Sequence, residues 1–175
     1  MRTREHNAGF TLLELLTVVA IIGIIAAVAI PGLLRARQVG NEASAVGSIR
    51  AINSGQVSYA ASCGGNGYAN SLTDLATPAA LGGATFIGLD LAVNGAQKSG
   101  YAFDLIAGLN VQPVLLAADT CNGTASFTTY HATGTPMIVG VTGSRAFATN
   151  DAGVVYQNFT GAAIAVNLAG ATVVN

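Results

Sequence analysis

Charge is scarce in this chain. Charged residues fill 9% of its 175 positions, against roughly 25% in a typical soluble domain. Lysine occurs once, at Lys98. The surface therefore has to be made of Ser, Thr, Asn, Gly and backbone. A formal net charge of −1 offers no basic stripe to a phosphate backbone, which excludes nucleic-acid binding by electrostatics. Histidine is equally short, with only His6 and His131, and the five aspartates, Asp74, Asp90, Asp104, Asp119 and Asp151, are scattered as in solvated turns. Neither a Ser/His/Asp arrangement nor a paired-carboxylate spacing stands out. The expectation is a chain that is not an enzyme, with no catalytic residue, no metal ligand set and no cofactor.

Cysteine is limited to Cys63 and Cys121, which belong to neither a CxxC nor a Cys/His cluster of zinc-ligand spacing. A disulfide between them is the natural reading; two buried free thiols are the alternative. Such a bond implies an oxidising compartment, and closing a loop of this length stabilises a fold by about 4 kcal/mol on the chain-entropy model.

What the chain does have is a long apolar run. From Phe10 to Leu34 the only ionisable side chain is Glu14, and as a helix this run is long enough to cross a hydrocarbon layer of about 30 Å. Arg2 and Arg4 precede it and Arg35 and Arg37 follow it, so the cation count cannot orient it. A secretory signal peptide cut at Ala27-Val28-Ala29 is the competing interpretation. Against it stand Glu14 inside the apolar region, the continuation through Ile30 to Leu34, and Pro31 just beyond the cut.

Helical spacing continues past Pro31, with Val39, Ala43, Val46, Ile49 and Ile52 three or four residues apart. Cys63-Gly64-Gly65-Asn66-Gly67 ends it with a run of turn formers. Ser71 to Leu75 reads as a short helix capped by Ser71 with Asp74 three residues on. Strand signals follow at Ser99 to Ala107, Ala125 to Thr133, Met137 to Thr142, Ser144 to Thr149 and Val154 to Phe159. Asn150-Asp151-Ala152-Gly153 joins the last two as a hairpin turn, while Gly143 separates the third from the fourth. The fold class is α+β, a long hydrophobic N-terminal helix packed against an antiparallel sheet. The tail Thr160 to Asn175 reads equally as a further strand or a packing surface.

The segment Gly9-Phe10-Thr11-Leu12-Leu13-Glu14, followed by the apolar run, closely resembles the class III signal of type IV pilins and of type II secretion pseudopilins. That resemblance implies cleavage by a prepilin peptidase between Gly9 and Phe10 and N-methylation of Phe10. It also implies a cytoplasmic leader at 1–9, a transmembrane and filament-core helix at 10–34, an amphipathic extension at 35–62 and a β-rich head at 63–175. Removing residues 1–9 takes away Arg2, Arg4 and Glu5 and leaves a net charge of −2. Gly23 and Pro31 fall where such pilins carry helix breakers. The implied partners are identical or related pilin subunits, the peptidase, an inner-membrane assembly platform and the membrane itself. The implied location is the bacterial inner membrane with the N-terminus cytoplasmic, then a surface filament, or the periplasm for a pseudopilin.

Physical chemistry gives Glu14 a role of its own. A carboxylate in hydrocarbon costs on the order of 3 kcal/mol on insertion scales, so it needs neutrality or a partner. The amine freed at Phe10 of a neighbouring, staggered subunit is the candidate; at about 4 Å and an effective dielectric near 20 the pair is worth roughly 4 kcal/mol before desolvation. The alternative is a carboxylate that snorkels to the interface. Further along, Ala43, Gly47, Ala51 and Gly55 form a row four apart, with Gly40, Ser44 and Ser48 beside it. Such a row lets helices approach closely or packs under the chain's own sheet. A calcium site at Asn150 to Gly153 has one carboxylate only, and the plain turn is the stronger reading. Between Phe10 and Ala61 the only further aromatic is Tyr59, which argues against a conductive core. Adhesion, motility, DNA uptake and, for a pseudopilus, protein export are the processes such filaments serve.

Overall fold

The computed structural model describes residues 10–79 and 83–174. Helix α1 runs over Leu12–Ser62, 51 residues with Pro31 inside it. Its start has a cap: the Thr11 hydroxyl oxygen accepts from the Glu14 backbone N–H at 3.2 Å, satisfying one of the donors a helix N-terminus leaves orphaned. Its end comes at the glycine-rich run, where Gly65 and Asn66 take left-handed φ of 59° and 69°. There the Gly64 and Asn66 N–H groups donate to the carbonyls of Tyr59 and Ala60. Two compact units divide the chain, one up to Ala36 and one from Arg37 onward.

In the first unit the large apolar side chains from Phe10 to Leu34 are all exposed. In the second, α1 turns a face to a core. Glu42, Ala45, Ser48, Ile49, Ile52, Gly55, Gln56 and Tyr59 are buried, a spacing of three and four that follows the helical repeat.

The core's other wall is a six-stranded antiparallel sheet. Its strands are β1 (Ala96–Lys98), β2 (Tyr101–Ala107), β5 (Tyr130–Pro136), β6 (Ala146–Asn150), β7 (Val155–Asn158) and β8 (Thr172–Val173), lying side by side in that order. Two further short strands, β3 (Pro113–Leu115) and β4 (Ser126–Phe127), pair with each other. Tyr101, Phe103 and Leu105 alternate inward along β2 and meet Ile49, Ile52, Tyr130 and Phe147, all buried. Each such apolar side chain contributes about 1.5–3 kcal/mol on burial. Gly134 lets the helix close on the sheet: a Cβ there would stand 2.8 Å from the Phe103 ring and 3.5 Å from Ile49. A short helix α2 (Leu72–Ala76) is capped by the Ser71 hydroxyl, which accepts from Asp74 N–H. The α+β class and the Ser71 cap agree with the sequence.

Three expectations need correction. Met137 to Thr142 is not a strand but a tight loop between β5 and β6. The Thr142 hydroxyl accepts from Ile138 N–H at 3.1 Å, Gly140 N–H donates to the Gly143 carbonyl at 2.8 Å, and Thr142 N–H donates to the Ile138 carbonyl. The side chain of Thr142 thus supplies a partner that a ladder would otherwise provide, and Gly140 takes a φ of 81°. Gly143 is not a break between neighbouring strands; it closes the loop, where any Cβ would collide with the Tyr101 hydroxyl. Ala125 to Thr133 is not one strand either: β4 ends at Phe127 and β5 begins at Tyr130 and continues to Pro136. The Asn150–Gly153 hairpin turn is present, with β6 and β7 antiparallel and Gly153 N–H donating to the Asn150 carbonyl. The tail does both things left open for it, supplying β8 and a buried Ile164.

Candidate functional site

Gly9 lies outside the described residues. Phe10 begins them, 78% exposed. Glu14, on the first turn of α1, makes no ion pair among the described residues; its carbonyl accepts from the Thr17 hydroxyl at 2.9 Å. Gly23 has nothing within 4 Å of its missing Cβ, and α1 remains helical through both Gly23 and Pro31. This segment is a helix with no core of its own to bury, and its apolar side chains need lipid or other helices around them.

The row of small residues divides. Ala43, Gly47 and Ala51 lie exposed beside Arg50, Ser54 and Val57, whereas Gly55 is buried with its Cα under the Phe86 carbonyl, 2.6 Å from where a Cβ would stand. Ser48 is buried too. Close approach to a second helix is open to the first three and to the exposed Gly40, while packing under the chain's own head takes Ser48 and Gly55.

Three clusters bind the second half of α1 to the head. The disulfide Cys63–Cys121, separated by 58 residues, ties the helix end to the loop before β4. Beside it the Asn122 side chain donates to the Asp74 carbonyl at 2.9 Å. Midway, Asn53 donates to the Gly153 carbonyl at 2.8 Å and accepts from the Tyr130 hydroxyl, clasping the hairpin turn. At the near end, the buried Glu42 carboxylate accepts from Ser144 N–H and Oγ–H, both at 2.8 Å. It also accepts from Arg145 Nε at 2.8 Å and pairs with Arg145 Nη2 at 2.7 Å. Burial pushes the Glu42 pKa up, but the bonds from Ser144 and the Arg145 guanidinium outweigh it and hold the group below its ordinary 4.5. No local sequence pattern marks this cluster. Its signal was the scarcity of charge itself: after Glu14 the chain has one Glu, and after Arg50 one Arg.

His131 is buried on β5, its Nε2 2.9 Å from the Ile164 carbonyl, and burial holds its pKa below the usual 6.5. The Asn150 side chain accepts from Ala152 N–H at 3.2 Å, an Asx turn. Among the described residues no three His, Cys, Asp or Glu side chains gather as a metal site. A cavity of about 260 Å³ bounded by Asn110, Tyr130, Asn150 and Asp151 has Asp151 as its one carboxylate.

The family model described as the prokaryotic N-terminal methylation motif matches residues 4–30. The N-terminus is type IV pilin-like. A curated relative, the type IV major pilin protein PilA of Myxococcus xanthus (strain DK1622), is 41% identical over 58 residues, covering 33% of this chain and 26% of the relative. No solved structure matches the chain. The pilin-like helix followed by an antiparallel sheet makes the fold type IV pilin-like as well.

Proposed function

We propose that this chain is a filament subunit of a type IV pilus, stored in the inner membrane and assembled through α1. The observation that carries the reading is the methylation-motif match directly on a helix whose apolar side chains from Phe10 to Leu34 stay uncovered. A prepilin peptidase cuts between Gly9 and Phe10 and methylates Phe10. Residues 10–34 then span the membrane and later line the filament core, 35–62 extend the helix, and 63–175 form the head. Gly23 and Pro31 are points at which the helix can unwind on assembly: Pro31 cannot donate to the ladder and Gly23 is intrinsically costly in it.

Glu14 acts as the register device. Its carboxylate pairs with the Phe10 amine of a neighbouring subunit, and an inner-membrane platform supplies subunits to the growing end. Pseudopilins share the N-terminal chemistry; the surface pilus is favoured by the disulfide and by the charge-poor, Thr- and Gly-rich head, which suit an exposed coat.

The test is Glu14→Gln and Glu14→Leu. Both should give processed, membrane-held monomer that enters sheared surface filaments poorly, because neither change harms insertion. Wild-type assembly by both variants would remove Glu14 from the register role. Wild-type subunit confined to the periplasm, with none in the sheared fraction, would favour the pseudopilus instead.

A further inference from the structure

The loop between β5 and β6 is apolar, uncovered and tied by hydrogen bonds to α1. Met137, Ile138, Val139 and Val141 are each about half exposed or more, as is Phe159. No ionisable residue occurs from Gly134 to Ser144. Several of the loop's backbone groups bond within it: Gly140 N–H donates to the Gly143 carbonyl, Val141 and Thr142 N–H to the Ile138 carbonyl, and Ile138 N–H to the Thr142 hydroxyl. It is also held to the helix, with Gln38 donating to the Gly140 carbonyl and Asn41 to the Thr142 carbonyl at 2.9 Å. Gly161, two residues after Phe159, has its Cα so close that a Cβ would stand 2.9 Å from the Val139 methyls. One end of the head thus carries a patch of large apolar side chains on a braced backbone.

Gln38 follows Leu34, the last residue of the apolar run, by four positions. The loop's anchor on α1 is thus about one helical turn along the chain from the end of the apolar run. We propose that this loop is a membrane-surface contact: before assembly, Ile138, Val139 and Val141 sit in the headgroup and upper acyl region of the bilayer that holds α1. Two features fit lipid in particular: an anchor, Gln38, close along the chain to the apolar run, and the absence of charge. Loose exposed apolar loops are a liability in a soluble protein, and large exposed patches mark interaction sites. The inference rests on the membrane-stored reading given above.

The chain has no tryptophan, so a single one reports its own surroundings. Full-length Ile138→Trp, Val141→Trp, Leu116→Trp and Ile22→Trp are each reconstituted into vesicles of phosphatidylethanolamine and phosphatidylglycerol doped with shallow-brominated phosphatidylcholine. Leu116, exposed beside β3, is the head control, and Ile22 reports the anchor. An intact Cys63–Cys121 bond and a wild-type near-ultraviolet dichroism spectrum certify each fold. The expected result is a blue-shifted emission for both loop variants and quenching severalfold stronger than for Leu116→Trp. Loop variants quenched no more than Leu116→Trp, with Ile22→Trp strongly quenched, would overturn the loop contact and leave the anchor standing. Shielding of the loop only in assembled filaments would assign it to a neighbouring subunit, and also overturn it. An unquenched Ile22→Trp would overturn the anchor reading and this inference with it.

Discussion

Removing the Glu42 carboxylate should destabilise the head more than any other single loss of charge in the chain. In Glu42→Ala, Arg145 loses its partner, and the Ser144 N–H and hydroxyl and the Arg145 Nε lose their shared acceptor. Glu42 is 5% exposed, so water does not replace it freely. Breaking a buried pair by deleting one partner costs about 3–5 kcal/mol; the Arg145 side chain is 33% exposed, which places the expectation at the low end, about 3 kcal/mol. For a unit of this size that is a drop in Tm of roughly 10 °C.

The internal control is Lys98→Ala. It breaks a pair of similar length, Lys98 to Asp90 at 2.7 Å, whose side chains are 40% and 53% exposed, and should cost under about 1 kcal/mol. The assay is urea and thermal unfolding of detergent-solubilised full-length chain, followed by near-ultraviolet dichroism of the buried tyrosines. The pH dependence has a sign. Because Glu42 is held below 4.5 when folded, its contribution is present above the unfolded value and lost as pH falls through the folded one. Glu42→Gln should therefore flatten the acid limb of the stability curve below about pH 4.5. Equal losses in Glu42→Ala and Lys98→Ala would refute the reasoning, as would an unchanged acid limb in Glu42→Gln.

Reducing Cys63–Cys121, or replacing both by Ser, should lower stability by about 4 kcal/mol on the chain-entropy model for a closed loop of this length; urea titration with and without reductant checks it. His131 is held below 6.5 when folded, so stability is present above 6.5 and lost as pH falls through the folded value. A His131→Leu variant should lack that component in melts between pH 7 and 5. Gly143→Ala should destabilise the head, since its Cβ would meet the Tyr101 hydroxyl that donates to the Arg145 carbonyl. Gly47→Ala, with nothing within 4 Å, should instead stabilise it by up to about 1 kcal/mol, and paired thermal melts separate the two.

Much of this was legible because short-range chemistry wrote it. The helical spacing gave Ile49 and Ile52 of the buried helix face, though Val39 and Ala43 of the same series lie exposed; the Ser71 hydroxyl gave its cap, and Asn150 to Gly153 the hairpin. The Glu42–Arg145 cluster was not legible, since its partners stand 103 residues apart and nothing local marks either. The Met137 to Thr142 segment misled because β-branched, apolar residues read as a ladder while the turn is made by a threonine side chain and the left-handed Gly140. Strands β1 and β3, three residues each, are too short to carry an alternation. Among the site residues, Cys63 and Cys121 are bonded, as two cysteines outside any metal motif suggested, while Gly9 lies outside the described residues and Glu14 has no ion pair among them.

The intact mass of this chain recovered from sheared surface filaments decides whether it is a processed pilus subunit. A pilus subunit should be a mature protein that begins at Phe10, carries one N-terminal methyl group and keeps Cys63 and Cys121 bonded. A mature chain beginning at Ile30, after cleavage at Ala27-Val28-Ala29, would contradict it.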